Sequence, residues 1–140
     1  TRVQYNLYDS RSNVLEVQQP DGTKVSYIWG YHHTQPVAKL ENVAYSSIPA
    51  GLITGIQNAS DALTYNEANV ITALNNLRAH ASVAQAMITT LTHIPLVGVK
   101  TVTDPKGDTA TYHYDAFNRL KEVRDKDNNI INEHIYHYRP

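Results

Sequence analysis

A chain of 140 residues has the length of one ordinary domain and, folded compactly, buries roughly 70% of its extended-chain surface, enough for a core of its own. Its 12 basic residues against 13 acidic ones leave a formal net charge of −1, which excludes the field that gathers nucleic acid or anionic lipid. No apolar run approaches the ~20 residues of a membrane-spanning helix, and the absence of cysteine excludes disulfide frameworks and thiolate metal sites while leaving the compartment open.

The chain begins inside a strand-like pattern. Val3, Tyr5 and Leu7 alternate on one face, with Tyr8 out of step near the strand end. Such an opening, with no methionine and no signal-peptide pattern, is expected of a piece of something longer. Ser10-Arg11-Ser12-Asn13 is turn chemistry, Val14–Val17 a second strand, Pro20-Asp21-Gly22 a turn, and Lys24–Trp29 a third strand. One more strand is expected within Pro36–Val43. The aromatic set favours strands with one packed and one wet face, because ten tyrosines stand against one Phe and one Trp and each pairs an apolar ring with a hydroxyl.

From residue 46 to 86 the composition turns to Ala, Asn and Leu with helical spacing, predicting an insert of about two helices. Leu63, Val70, Leu74, Leu77, Ala81 and Ala84 fall on one stripe, and Thr64-Tyr65-Asn66-Glu67 matches a capping box, so a helix is predicted near 65–80. A shorter one is expected over Pro49–Ile56, capped by Ser47 and weakened by Gly51 and Gly55. The β rhythm returns at Met87–His93, a β-branched run that ends at Pro95. Strands follow at Val99–Thr103, Thr109–Asp115, Leu120–Arg124 and Ile130–Tyr138, separated by Asp104-Pro105-Lys106-Gly107, Ala116-Phe117-Asn118-Arg119 and Asp125-Lys126-Asp127-Asn128-Asn129. The reading is a mainly β chain of antiparallel hairpins flanking the helices, in blocks 1–45, 46–86 and 87–140.

The two β blocks share an order: Tyr-Asp, a turn, a short apolar strand, an Asp- or Asn-rich turn, then an aromatic strand. This is an internal repeat whose units, like other lone hairpins, need neighbours to bury a face. Tyr112-His113-Tyr114-Asp115-Ala116-Phe117-Asn118-Arg119-Leu120 resembles the Tyr-x-Tyr-Asp-x-x-Gly-Arg-Leu signature of bacterial YD-repeat (Rhs-type) proteins, and Asp104-Pro105-Lys106-Gly107 fits that family's inter-strand turn. Tyr8-Asp9-Ser10-Arg11-Ser12-Asn13-Val14-Leu15 resembles a degenerate copy. Asn13 and Asn118 are read as standing where the family has Gly, Asn being the residue next best able to take positive φ. Val25–Tyr31, Pro36–Lys39 and the tail Ile135–Tyr138 are similar to the C-terminal ends of large secreted or surface members. The resemblance implies a hairpin strip that winds into a shell around a toxin or displays an adhesive surface, with the remainder of the parent shell or other protein chains as partners. It marks Tyr8, Asp9, Tyr112, Tyr114, Asp115, Arg119 and Leu120 as motif residues. The Pro-x-x-x-x-Asp-Pro-x-Gly-Leu signature of self-cleaving members is not matched, since Asp108 follows Gly107 and position 99 is Val, so cleavage is not carried to Asp104.

Nothing in the chain nominates a catalytic residue, a cofactor or a metal centre. His113, His134 and His137 fall in neighbouring strands and three imidazoles can hold zinc, but positions 134 and 137 point to opposite faces. Asp9 and Asp115 read as turn residues, and Arg11 and Arg119 as ion-pair partners of acids across the hairpin. The aromatic pairs Tyr112 and Tyr114, Tyr27 and Trp29, and Tyr136 and Tyr138 each share a face. They are expected to pack rung on rung, with stacking on glycans as the alternative. The expectation is therefore a non-enzymatic structural module, secreted or on the bacterial surface, that closes the strip while its helical insert covers an open sheet edge.

Overall fold

The computed structural model describes residues 2–133 and divides into two compact units, residues 1–90 and 91–140. In the first unit, β1 (Gln4–Tyr8), β2 (Val14–Gln18), β3 (Lys24–Gly30), β4 (Gln35–Glu41) and the start of β5 (Met87–Ile94) pair antiparallel in chain order. The helices α1 (Ala50–Asp61) and α2 (Glu67–Arg78) lie between β4 and β5 in sequence. Those two strands nevertheless pair directly, Ala38 opposite Thr90 and Leu40 opposite Ile88, so the helices are an excursion between neighbouring rungs.

Period two assigns each strand residue to a face. Ile28, Ala38, Leu40 and Ile88 join Ile53, Ile56, Val70, Leu74 and Leu77 of the helices in one core. Ile28, Leu40, Ile56, Val70 and Leu77 are wholly buried, each contributing about 1.5–3 kcal/mol relative to exposure. The helical insert thus covers a face of the sheet, correcting the expectation that it covers an edge; only a face offers enough apolar area to hold two amphipathic helices. The β3 terminus and α1 approach so closely that a Cβ on Gly30 would lie 2.7 Å from Ser60 Oγ.

Local chemistry departs from the sequence reading in the insert. The cap of α2 is Asn66, whose side chain accepts from the Ala68 amide at 2.9 Å, so Thr64 and Glu67 do not form the capping box. With the helix entering two residues later and ending at Arg78, Leu63 is fully exposed, Ala81 and Ala84 face solvent, and Val83 of a 3-10 turn fills the core position instead. α1 runs on to Asp61, past the expected Ile56, because Ile56 and Ser60 extend its buried stripe. Its N-cap is Pro49, with no side-chain cap from Ser47. Gly51 and Gly55 sit on its open side.

The second unit is a meander of β6 (Gly98–Thr103), β7 (Thr109–Tyr114), β8 (Leu120–Arg124) and β9 (Ile130–Glu133), mainly antiparallel like the first. Register places Thr101 opposite Thr111, Tyr112 opposite Val123, Tyr114 opposite Leu120 and His113 opposite Glu122. Its described residues form no helix of their own; β6 is half-buried throughout and Val123 is the buried apolar residue among them. A sheet with two half-wet faces is what a stack of short hairpins gives before neighbours are added.

Candidate structural site: a repeated turn and an aromatic groove

The motif aspartates build one turn, repeated. In the five loops starting at Asp9, Gln19, Asp104, Asp115 and Asp125, the first residue's N–H donates to the fifth residue's carbonyl at 2.8–2.9 Å. The fourth residue's N–H donates to the first carbonyl at 2.8–3.1 Å. The fourth residue takes positive φ each time: Ser12 65°, Gly22 91°, Gly107 92°, Asn118 60° and Asn128 65°. This is the three-residue hairpin loop in which a turn is followed by a left-handed residue. In four of the five, the leading aspartate's Oδ1 accepts from the third and fifth amides: Asp9 from Arg11 and Asn13, Asp104 from Lys106 and Asp108, Asp115 from Phe117 and Arg119, Asp125 from Asp127 and Asn129. Where Gln19 leads, Asp21 accepts from Thr23 instead.

The alignment corrects the sequence reading by one position. Ser12, not Asn13, corresponds to Asn118 and carries the positive φ. Asn13 corresponds to Arg119, and both side chains return to the leading aspartate: Asn13 Nδ2 to Asp9 at 3.0 Å and Arg119 Nε to Asp115 at 2.9 Å. Arg11 does not reach an acid across the hairpin; it donates to the His32 carbonyl at 3.1 Å. Arg119 also lies over the Phe117 ring at 5.4 Å.

Partial burial pushes the Asp9 and Asp115 carboxyls up, but the amide and side-chain donors outweigh it and hold both below their ordinary 3.8. The Thr23 donors do the same for Asp21. Tyr114 donates its hydroxyl to the Val99 carbonyl at 2.6 Å, and burial raises its pKa. It therefore ties β7 to its paired strand β6, while Tyr112 shares its face and stands opposite Val123, and Leu120 opposite Tyr114. The stacked pair of the first block is Tyr5 and Tyr8, centroids 6.5 Å apart, within β1. His113 is on the opposite face from Tyr112. Tyr136, Tyr138, His134 and His137 lie outside the described residues.

Two features escaped the sequence reading. Tyr31, His32 and His33, joining β3 to β4, are all left-handed at φ 52°, 59° and 61°. The Tyr31 amide donates to Ser60 Oγ at 2.8 Å, the His32 amide to Asp61 at 2.6 Å, and Asn13 Nδ2 to the His33 carbonyl at 2.7 Å. Asp9 sits 3.4 Å from His33 Nδ1. The first motif turn and the end of α1 together hold a conformation that costs about 1–2 kcal/mol per residue by itself. Tyr31 and Tyr65 share a hydroxyl hydrogen bond at 2.8 Å, and burial raises the Tyr65 pKa. Tandem left-handed L-residues have no sequence signal without glycine or Asn, so only the packed structure reveals them.

The second feature is an open apolar groove of about 190 Å³ on the sheet face opposite the helices, lined by Tyr5, Val14, Val17, Tyr27 and Trp29. It gathers the predicted pair Tyr27 and Trp29 with the edge-strand Tyr5, and Trp29 donates its indole N–H to the Val14 carbonyl at 2.8 Å. No group of three His, Cys, Asp or Glu side chains among the described residues is placed to hold a metal. No helix among them is long and apolar enough to cross a membrane.

No curated protein matches the chain. Residues 98–130 match the family model described as RHS Repeat, a segment that spans β6 to the start of β9 and three of the five turns. The matched segment, an RHS-type repeat over residues 98–130, is built on the same aspartate turn as the Tyr8-Asp9 copy.

Proposed function

We propose that the chain is a non-catalytic scaffold: a secreted or surface-exposed length of β-hairpin strip that closes or caps a YD-repeat shell, enclosing a toxin or displaying a surface. The observation that carries this reading is the fivefold recurrence of one turn, which makes each hairpin a modular rung. β1 supports it. Val3, Tyr5, Leu7 and Tyr8 are exposed, and Gln4–Tyr8 has none of the Lys or Pro that blunts a free sheet edge. Such an edge suits a further rung of the parent shell. Joining one more YD-type hairpin ahead of β1 should raise the melting temperature and protect β1 amides from hydrogen exchange. Unchanged β1 exchange in the fusion would overturn the reading.

The glycan alternative rests on Tyr27 and Trp29, which offer a stacking wall at the groove. It is the weaker reading. Sugars need polar partners at fixed positions, while the groove is lined by apolar and aromatic side chains and its indole N–H is committed to Val14. Binding of an oligosaccharide that is lost in Tyr27→Ala, with the fold retained, would favour it.

A further inference from the structure

The two β blocks coincide at one constant spacing: the Asp9 turn falls on the Asp115 turn, Val14–Gln18 on Leu120–Arg124, the Gln19 turn on the Asp125 turn and Lys24 on Ile130. Their first hairpins also share a register beside the turn. Tyr8 stands opposite Val14 and Leu7 opposite Glu16, as Tyr114 stands opposite Leu120 and His113 opposite Glu122, with a register shift at the same step. Tyr8 is thus the counterpart of Tyr114 in backbone as well as in motif. What differs is the outer neighbour. β7 has β6 on that side, and its residues are half-buried apart from His113. β1 stands at the end of the strand order, and each of its residues is exposed. Tyr8 is 54% exposed; the Tyr5 ring stacks on its face, but its hydroxyl donates to no described residue.

The second block shows what this tyrosine does when the neighbour is present. The pairs Thr103 with Thr109 and Thr101 with Thr111, carried on along the two strands, bring Gly98 opposite Tyr114. The Tyr114 side chain lies on that glycine: a Cβ there would meet its hydroxyl oxygen at 2.6 Å and its Cζ at 3.3 Å. The hydroxyl donates to the next carbonyl along, that of Val99, at 2.6 Å. A cross-strand aromatic restores the packing that a strand glycine lacks. Here the hydrogen bond also fixes which residue lies opposite. A slip of one residue would bring a Cβ under the ring and turn the accepting carbonyl away.

We infer that β1 takes an antiparallel strand of the parent strip built like β6, with a glycine opposite Tyr8 and the Tyr8 hydroxyl donating to the carbonyl of the residue after that glycine. This rests on the scaffold reading and adds to it a register and a sequence requirement, a glycine at one fixed place in the incoming strand. A free edge as such accepts any extended segment, whereas the tyrosine selects one alignment. The bulge at Asn6, whose side chain donates to Glu16 at 2.7 Å, ends the part of β1 that matches β7. The clamp therefore acts at the end of β1 next to the turn, at Leu7 and Tyr8.

The test is a fusion of the full chain in which the sequence of residues 98–108 is repeated ahead of Val3, the position equivalent to Thr109, in place of Thr1 and Arg2. The added strand then reaches β1 through a turn of the same kind, and exchange of β1 amides should slow. Tyr8→Phe should leave the unfused chain unchanged and lower protection in the fusion about fivefold, the equilibrium equivalent of one hydrogen bond. Gly98→Ala made in the added copy alone should also lower protection, although Ala is ordinarily the better strand residue. That loss should be smaller in a Tyr8→Ala background. Protection indifferent to Tyr8→Phe, or a glycine change of equal cost in both backgrounds, would each overturn the clamp while the scaffold reading stands. β1 amides that exchange as fast in the fusion as without it would overturn both. Sedimentation velocity covers the remaining occupant: an unfused chain that dimerises with its β1 amides protected, untouched by Tyr8→Phe, would assign the edge to a second copy and overturn the inference.

Discussion

Gly98→Ala tests how a motif tyrosine is fixed. Gly98 has φ +157°, and a Cβ built on it would lie 2.6 Å from the Tyr114 hydroxyl and 3.3 Å from its ring carbon Cζ. That hydroxyl is the one donated to Val99 at 2.6 Å. The added methyl displaces it, losing a hydrogen bond worth about 1 kcal/mol, and forces alanine into a glycine-favoured backbone region at about 1–3 kcal/mol. The single substitution should therefore cost about 2–4 kcal/mol. Tyr114→Phe alone should cost about 1 kcal/mol. In the Tyr114→Phe background the 2.6 Å obstacle is gone, so Gly98→Ala should cost about 1 kcal/mol less than in the parent, well beyond the ~0.3–0.5 kcal/mol scatter of independent sites. Urea unfolding followed by hydrogen exchange of β6 and β7 amides reads the second unit directly, whereas fluorescence of the single Trp29 reports on the first. A Gly98→Ala cost that is the same in both backgrounds would refute the reasoning.

Three further outcomes follow from the turns and caps. Ser12→Gly should stabilise by about 0.5–1 kcal/mol, the left-handed strain of Ser less the added entropy of Gly, while Asn13→Gly should destabilise by removing the donors to Asp9 and His33; chemical denaturation separates the two. Asn66→Ala should cost about 1 kcal/mol of cap energy and Thr64→Ala within ±0.5 kcal/mol, read as shifts in urea midpoint. Because Asp9, Asp21 and Asp115 have folded pKa values below the ordinary 3.8, their contribution is complete above that value and is lost as pH falls through the lower folded values. Stability should drop below about pH 4, and Asp9→Asn should flatten that slope in acid titrations followed by circular dichroism.

The hairpin rhythm, the two helices between β4 and β5, and the matched repeat were legible in the chain because each rests on local causes: side-chain period, turn residues, and the preference of Asp for accepting its own loop's amides. Tyr112, Tyr114, Asp115, Arg119 and Leu120 were marked instead by their resemblance to the YD-repeat signature. Local cues were also where that reading slipped by a residue or two. Thr64 and Asn66 are both competent caps, and Ser12 and Asn13 are adjacent candidates for one left-handed position; only the direction in which each backbone enters its element chooses between them.

The sequence by itself determined that this is a strip of tyrosine- and aspartate-marked hairpins with a helical excursion, since those features are written in spacing. Only tertiary structure decided that the helices cover a face, that Tyr31, His32 and His33 are held left-handed by Asn13, Ser60 and Asp61, and that Tyr5, Tyr27 and Trp29 meet in one groove. Each of those outcomes depends on residues 20 or more positions apart arriving at one place, and their contact energies exceed what any local preference could set.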